Sequence, residues 1–136
     1  MTVIEQYFEA LRSGDMDQVY PLVTDTAEFV AVRETPDPRV PVYGSYRGHA
    51  GLKAFLSVLR ISFETERFVV DEAIQQGDTG FACGSFRHVV RETGRVFEST
   101  WAMRAKLREG KIDHYLFFED TARLEAAFGV STAEAI

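Results

Sequence analysis

The sequence has very few of the residues that bind metal ions or form disulfide bonds. It contains a single cysteine, Cys83, and three histidines. One cysteine excludes a disulfide within the chain and a cysteine-rich metal centre, and its place in a strand pattern predicts a buried, small apolar side chain. The histidines are far apart, with no pair at metal-ligand spacing. We therefore expect no metal, and no cofactor either, because no phosphate-binding loop or dinucleotide fingerprint occurs.

Negative charge outnumbers positive charge, and long apolar runs are missing. The net charge is −6 and the basic residues are scattered, which argues against a nucleic-acid partner. No apolar run approaches the roughly 20 residues of a membrane span, and the N-terminal sequence MTVIEQYFEAL lacks the regions of a signal peptide. These observations predict one cytoplasmic domain over residues 1–136 that contacts no membrane. Its apolar content of 46% is sufficient for a core.

A predicted β-hairpin near the C-terminus organises the chain. Residues 95–107 alternate apolar and polar side chains, and Arg108-Glu109-Gly110 supplies a tight turn before a return strand over residues 111–118. In the return strand both faces are apolar, so the spacing leaves open whether Tyr115 and Phe117 or the alternate positions face the interior. In the first strand the inward set is apolar, namely Phe97, Ser99, Trp101, Met103, Ala105 and Leu107.

The remaining segments predict an α+β fold. Helical spacing occurs over residues 3–12, 16–22, 48–61 and 121–128, and strand patterns over residues 26–32, 63–75 and 79–91. Residues 33–47, with three prolines, are expected to form a loop, and residues 129–136 a frayed tail. The short turns make the strands antiparallel. A strongly curved sheet over the N-terminal helices would leave a cone with a mouth, where a small molecule could bind.

Three short motifs, in this order, resemble the NTF2-like superfamily: YFEALRSGD, YRGHAGLKAFL and REGKIDHYLFFED. The resemblance spans residues 3–128 and implies the cone-shaped, cystatin-like α+β roll of that superfamily. Its members include ketosteroid isomerases, SnoaL-type polyketide cyclases, limonene-epoxide hydrolases and scytalone dehydratase, besides binding proteins. Because one scaffold carries many reactions, the resemblance implies a fold rather than one chemistry.

The catalytic positions of these relatives are only partly occupied. Tyr7 matches the first-helix tyrosine of ketosteroid isomerases, but their carboxylate base would fall at Ala31 and their protonated acid near Met103. Two of three groups for that reaction are therefore missing. The resemblance also implies no limonene-epoxide hydrolase activity, because the required arginine and two aspartates would fall at Gly84, Phe86 and Phe117.

The inward positions form a candidate pocket for a small hydrophobic molecule. His88 is the candidate proton carrier, since histidine changes protonation near neutral pH, and Tyr7 could polarise a carbonyl oxygen. Each has a structural alternative: His88 as a solvated histidine at the rim, and Tyr7 as a core tyrosine with a satisfied hydroxyl. The candidate substrate-binding residues, for which core packing is the alternative, are Phe86, Phe97, Ser99, Trp101, Met103, Tyr115 and Phe117.

Three functions are compatible with this pattern. The first is a cofactor-free isomerase, cyclase or dehydratase acting on a steroid-, polyketide- or aromatic-like carbonyl compound through His88 and Tyr7. The second is a ligand-binding protein without catalysis. The third is an interaction module that uses the outer sheet face around His114. Apolar outer positions, expected at Ile112, Leu116 and Phe118, predict a homodimer in all three cases.

Overall fold

A curved six-stranded sheet and four α-helices make up the computed structural model, which describes residues 1–130. The predicted α+β class is confirmed. The helices are α1 (Val3–Ser13), α2 (Met16–Val19), α3 (Gly48–Ser62) and α4 (Thr121–Ala127), with a 3₁₀ turn at Tyr20–Leu22. The strands are β1 (Val23–Ala31), β2 (Gly44–Arg47), β3 (Phe63–Gln76), β4 (Thr79–Val90), β5 (Val96–Arg108) and β6 (Lys111–Glu119).

The sheet order is β2-β1-β6-β5-β4-β3, so the meander of the last four strands is antiparallel, as predicted. One pair departs from that pattern, because β1 lies parallel to β6. Strand β2 was not predicted. It lies inside the expected loop and pairs with β1 at the sheet edge. A strand of four residues is too short for an alternation to be seen in the sequence.

Helix α1 begins and ends where local sequence signals place its termini. The Thr2 side chain accepts from the Glu5 backbone N–H at 3.2 Å, and the Glu5 carboxylate accepts from the Thr2 N–H at 2.9 Å, which completes a capping box. Gly14 ends the helix with a φ of 76°. The helix then packs its apolar stripe, which includes Ile4, Tyr7 and Phe8, onto the sheet.

A bulge near the β5–β6 turn decides which side of β6 faces inward. Leu107 pairs with Ile112, but Lys106 pairs with His114, so β6 contains one extra residue at this point. The expected outward position of Ile112 is therefore wrong, since that side chain is fully buried. Beyond the bulge the alternation changes phase, and Tyr115 faces inward while Phe118 is 48% exposed.

Two further expectations need correction. Cys83 is partly exposed rather than buried. The frayed tail was expected from residue 129, but Val130 is buried in the core, and its N–H donates to the Glu125 carbonyl at 2.8 Å. The rest of that predicted tail, residues 131–136, lies outside the described residues. None of the helices in residues 1–130 is long and apolar enough to cross a bilayer.

Gly84 allows strands β3, β4 and β5 to approach one another. A Cβ at this position would overlap the Val69 carbonyl oxygen and lie 2.9 Å from the Trp101 ring. That carbonyl accepts a 3.2 Å hydrogen bond from the indole N–H of Trp101. Only glycine leaves room for this contact across β4.

We predict that Gly84→Ala lowers the free energy of unfolding by about 3 kcal/mol, because the added methyl group must push apart two packed strands. Gly94→Ala is the control, since Gly94 has a φ of 73° and open space around it. Gly94→Ala should lower the free energy of unfolding by about 1 kcal/mol, because it introduces backbone strain but no steric overlap. Urea unfolding of both variants measures the difference. Equal losses would show that the close approach at Gly84 has no special cost.

Candidate functional site

The concave side of the sheet encloses a cavity of about 740 Å³. Its walls come from α1 and α3 on one side and from β3, β4 and β6 on the other. Most of the lining is apolar and aromatic, as in sites that bind small organic molecules. The aromatic and apolar lining residues include Phe8, Val42, Phe55, Phe86, Tyr115 and Phe117.

Tyr7 and Tyr115 place two phenol groups in this apolar wall. Their ring centroids lie 5.8 Å apart, and Tyr7 also stacks on Phe29 at 6.4 Å. The Tyr7 side chain is fully buried and its hydroxyl has no hydrogen-bond partner among residues 1–130. Burial raises the pKa of Tyr7, so the phenol stays protonated at neutral pH. A buried, unpaired donor is costly to the fold, and any hydrogen-bond acceptor placed beside it in the cavity would reduce that cost.

Glu119 lies on the same wall and was not predicted as a site residue. It shares the inward face of β6 with Tyr115 and Phe117 and lines the cavity. Desolvation raises the pKa of Glu119 to about 8. The Tyr115 pKa is raised by burial first, and then by the charges of Tyr7 and Glu119, and all three groups line the same cavity. At neutral pH the Glu119 carboxyl is therefore mostly protonated and close to the point at which it can accept or release a proton.

A sequence signal for Glu119 exists, but the predicted strand missed it by one residue. The strand was expected to end at residue 118, while β6 extends through Glu119. Extending the period-two alternation from Tyr115 and Phe117 by one step would have placed this carboxyl inward.

His88 lines the cavity. Its Nδ1 is 2.9 Å from the Thr65 hydroxyl oxygen, and its ring stacks on Phe63 at 4.6 Å and Phe86 at 4.3 Å. Burial lowers the pKa of His88 to about 4. The imidazole is thus neutral at pH 7, with Nε2 left without a partner inside residues 1–130.

The predicted substrate-binding residues separate into two groups. Phe86, Tyr115 and Phe117 line the cavity. The four β5 residues Phe97, Ser99, Trp101 and Met103 are buried but lie outside the lining. There Trp101 stacks on Phe117 at 5.3 Å, and the Ser99 hydroxyl oxygen accepts from the Asp120 N–H at 3.1 Å. Their contact with a ligand stays a prediction, and the structure gives them supporting positions behind the wall.

The other two histidines lie away from the cavity. His114 is outside the lining, with Nε2 at 3.3 Å from a Glu28 carboxylate oxygen. His49 stacks on Tyr20 at 4.7 Å, and its Nε2 is 3.0 Å from the Val23 carbonyl oxygen. Over the described part of the chain, no three histidine, cysteine or acidic side chains come together as metal ligands would. The cavity lining includes four groups that can donate or accept a proton, namely Tyr7, His88, Tyr115 and Glu119.

Comparison with known proteins identifies the domain family and supports the fold. The sequence model of the SnoaL-like domain matches residues 4–115. A search of curated proteins found no match. An NTF2-like protein from Burkholderia xenovorans is 25% identical, with a TM-score of 0.81 over 93% of this chain and 92% of that one. TerC, crystallised with polyporic acid, is 20% identical, with a TM-score of 0.78 over 93% of this chain and 95% of the other.

A third similar structure, from Catenulispora acidiphila, has a ketosteroid isomerase-like fold and was solved with trimethylamine. It is 11% identical, with a TM-score of 0.74 over 96% of each chain. The resemblance inferred from the three sequence motifs is thereby confirmed at the level of the fold.

The raised pKa of Glu119 predicts a stability that falls as pH rises. Below about pH 4.5 the carboxyl is protonated in both states. Between that value and about 8 the unfolded chain releases the proton while the folded chain keeps it. The free energy of unfolding therefore falls by up to about 1.4 kcal/mol for each pH unit. Glu119→Gln removes this loss. The difference between the melting temperature of the variant and that of wild type should therefore increase as the pH is raised from 5 to 8.

The matched control for this measurement is Glu64→Gln, since Glu64 is an exposed glutamate on β3 outside the cavity lining. Its melting temperature should follow that of wild type over the same pH range. A Glu119→Gln curve parallel to wild type would contradict a desolvated carboxyl at this position.

Proposed function

The chain belongs to the SnoaL-like domain family, and from that premise we propose that its cavity binds a small hydrophobic carbonyl compound and moves a proton on it without a cofactor. One observation carries the proposal: the Glu119 carboxyl group and the phenol hydroxyls of Tyr7 and Tyr115 line one largely apolar cavity. Such groups destabilise an empty cavity, and they match the charges that develop when a proton leaves the carbon beside a carbonyl.

Glu119 is the proposed proton acceptor. In its ionised form it takes a proton from the carbon next to the carbonyl group and becomes neutral, while the bond electrons move to the carbonyl oxygen. With a pKa of about 8, the carboxylate is a stronger base than an ordinary glutamate, yet a useful fraction is still ionised near neutral pH. The rate should therefore rise with pH up to about 8.

Tyr7 and Tyr115 are the proposed donors to the enolate oxygen that forms in this step. The unpaired, buried Tyr7 hydroxyl is already desolvated, so it loses no water when it donates. Preorganised donors of this kind typically contribute about 10²–10³-fold to a rate. This role replaces the carboxylic acid donor that the isomerase-type arrangement would need at Met103.

His88 is proposed to act on a different part of the ligand. In the sheet register His88 is opposite Phe97, and Glu119 is opposite Trp101, which separates them by about 13 Å along the strands. A neutral imidazole at the mouth can exchange a proton with a second carbon or oxygen of a ring-sized ligand. Removal of a proton at one carbon and its return at another is isomerisation, and attack of the enolate on a second carbonyl is ring closure.

The test is deuterium exchange into carbon, followed by NMR in D₂O, with β-tetralone and a steroid β,γ-unsaturated ketone as probes. Wild type should exchange the acidic hydrogens, and Glu119→Gln should lower the rate by about 10²-fold or more. Tyr7→Phe should lower it by about 10²-fold. His88→Gln should leave exchange at the first carbon unchanged and reduce net isomerisation of the steroid. The control Glu64→Gln should behave as wild type.

Binding without exchange identifies the second candidate function, a ligand-binding protein on the same scaffold. The carboxylate missing at Ala31 and the acid missing near Met103 favour this candidate over a known isomerase chemistry. Thermal shift separates the two outcomes, since a ligand at a hundred times its dissociation constant stabilises the fold by about 2.7 kcal/mol. Exchange that survives in Glu119→Gln would reject the proposed acceptor.

We also propose a homodimer through the outer face of the sheet. Ile74 and Phe81 are cross-strand neighbours that are 66% and 49% exposed, and Phe118 is 48% exposed on the same face. Exposed apolar groups in one region are typical of interfaces. Phe81→Glu should convert the protein to a monomer in sedimentation equilibrium, whereas Val96→Glu, at an exposed apolar residue away from this cluster, should not. A monomeric wild type would contradict the proposal.

A further inference from the structure

Three arginines stand at the mouth of the cavity, where its lining becomes exposed. Arg12 comes from the end of α1, Arg60 from the end of α3 and Arg91 from the residue after β4. We call this set the mouth arginines. They derive from three segments far apart in sequence, so only the fold brings them to one opening.

The mouth arginines differ from most other arginines of this protein in having no acidic partner. Within residues 1–130, none of the three forms an ion pair. Elsewhere ion pairs to Asp or Glu are the rule, and they are formed by Arg33, Arg39, Arg47, Arg67, Arg87, Arg108 and Arg123. In a chain with a net charge of −6, acidic residues are in excess. The lack of an acidic partner for the three mouth arginines is therefore not caused by a shortage of acidic residues.

Two of the mouth arginines are held in place by backbone carbonyls. The Nε of Arg91 donates to the Arg60 carbonyl oxygen at 3.1 Å, and an Nη of Arg12 donates to the Phe68 carbonyl oxygen at 3.4 Å. Each of these bonds uses one nitrogen of a guanidinium that carries five N–H donors, so most donors remain for another acceptor. Anchored guanidinium groups lose less entropy when they bind an anion.

The groups near the mouth do not oppose a negative charge there. The Glu66 carboxylate, also in the lining, accepts from Arg87 at 3.1 Å. His88 is neutral at pH 7, and Glu119 is mostly protonated. The cavity thus has an apolar, nearly uncharged interior below an opening with three unpaired positive charges.

Resting on the proposed binding function, we infer that the ligand of this cavity is an amphiphilic organic anion, with an apolar ring system inside and a carboxylate or similar oxyanion held by Arg12, Arg60 and Arg91 at the mouth. Guanidinium groups bind planar oxyanions through paired, charge-assisted hydrogen bonds. The charge also orients the ligand, because the anionic end must stay at the opening while the opposite end reaches Tyr7 and Glu119.

Arg60 has a second effect that the experiment must separate from binding. It lies in the last turn of α3, where a positive charge stabilises the helix dipole. That effect changes the melting temperature of the free protein. It does not change the affinity for a charged ligand relative to a neutral one. A role in ligand recognition instead changes the preference for an anion over a neutral analogue.

The test compares fluorescent pyrenebutyrate with its neutral analogue pyrenebutyramide, which has the same ring system and chain. Wild type should bind the carboxylate at least about tenfold more tightly than the amide, because the amide lacks one charge-assisted contact. The preference should shrink as salt is added. Arg60→Gln and Arg91→Gln should each lower affinity for the carboxylate about tenfold and leave affinity for the amide unchanged.

The matched control is Arg47→Gln, an exposed arginine that pairs with Glu28 at 3.5 Å and lies outside the cavity lining. It should keep the preference of wild type. Equal affinity of wild type for both probes, failure of both to bind, or an anion preference untouched by both mouth variants would overturn the inference. Anion preference without carbon exchange would reject only the proposed catalysis, and exchange without anion preference would reject only this inference.

Discussion

The packing of helix α1 against the concave face of the sheet is the constraint on which the rest of the structure depends. Tyr7 and Phe8 contact Phe29, Phe68, Trp101 and Tyr115 with ring centroids between 5.2 and 6.4 Å apart. Rings of this size bring a helix and a curved sheet together without filling the space between them completely. The remaining volume is the cavity, so the contacts that stabilise the fold also define the walls of the candidate site.

The electrostatic character of the cavity follows from the same packing. Removal of water from the wall raises the pKa of Glu119 to about 8 and lowers the pKa of His88 to about 4. Both shifts favour the neutral forms, because an apolar environment disfavours charge of either sign. At the mouth, the side chains of Arg60 and Arg91 are exposed and contribute cationic guanidinium groups. An apolar body with one anionic end is complementary to that arrangement.

Much of the fold could be predicted because its signals are local. The capping box of Thr2 and Glu5, the tight turn at Glu109-Gly110 and the alternation along β5 each depend on residues within a few positions of one another. The candidate site was less predictable. Tyr7, Phe86 and His88 were expected in the pocket and line it. Glu119 was missed, because the predicted strand ended one residue too early.

The sequence by itself determined the α+β class, the order of the elements apart from β2, the curved sheet over N-terminal helices and the inward face of β5, since these depend on local propensity and period-two burial. Only the tertiary structure decided the parallel pairing of β1 with β6, the inward face of β6 and the composition of the mouth. The physical reason is that these features depend on pairing that the alternation of side chains does not specify. The parallel pair and the opening shared by Arg12, Arg60 and Arg91 join segments far apart in the sequence, and the bulge shifts the backbone pairing of β6 by one residue within its own hairpin.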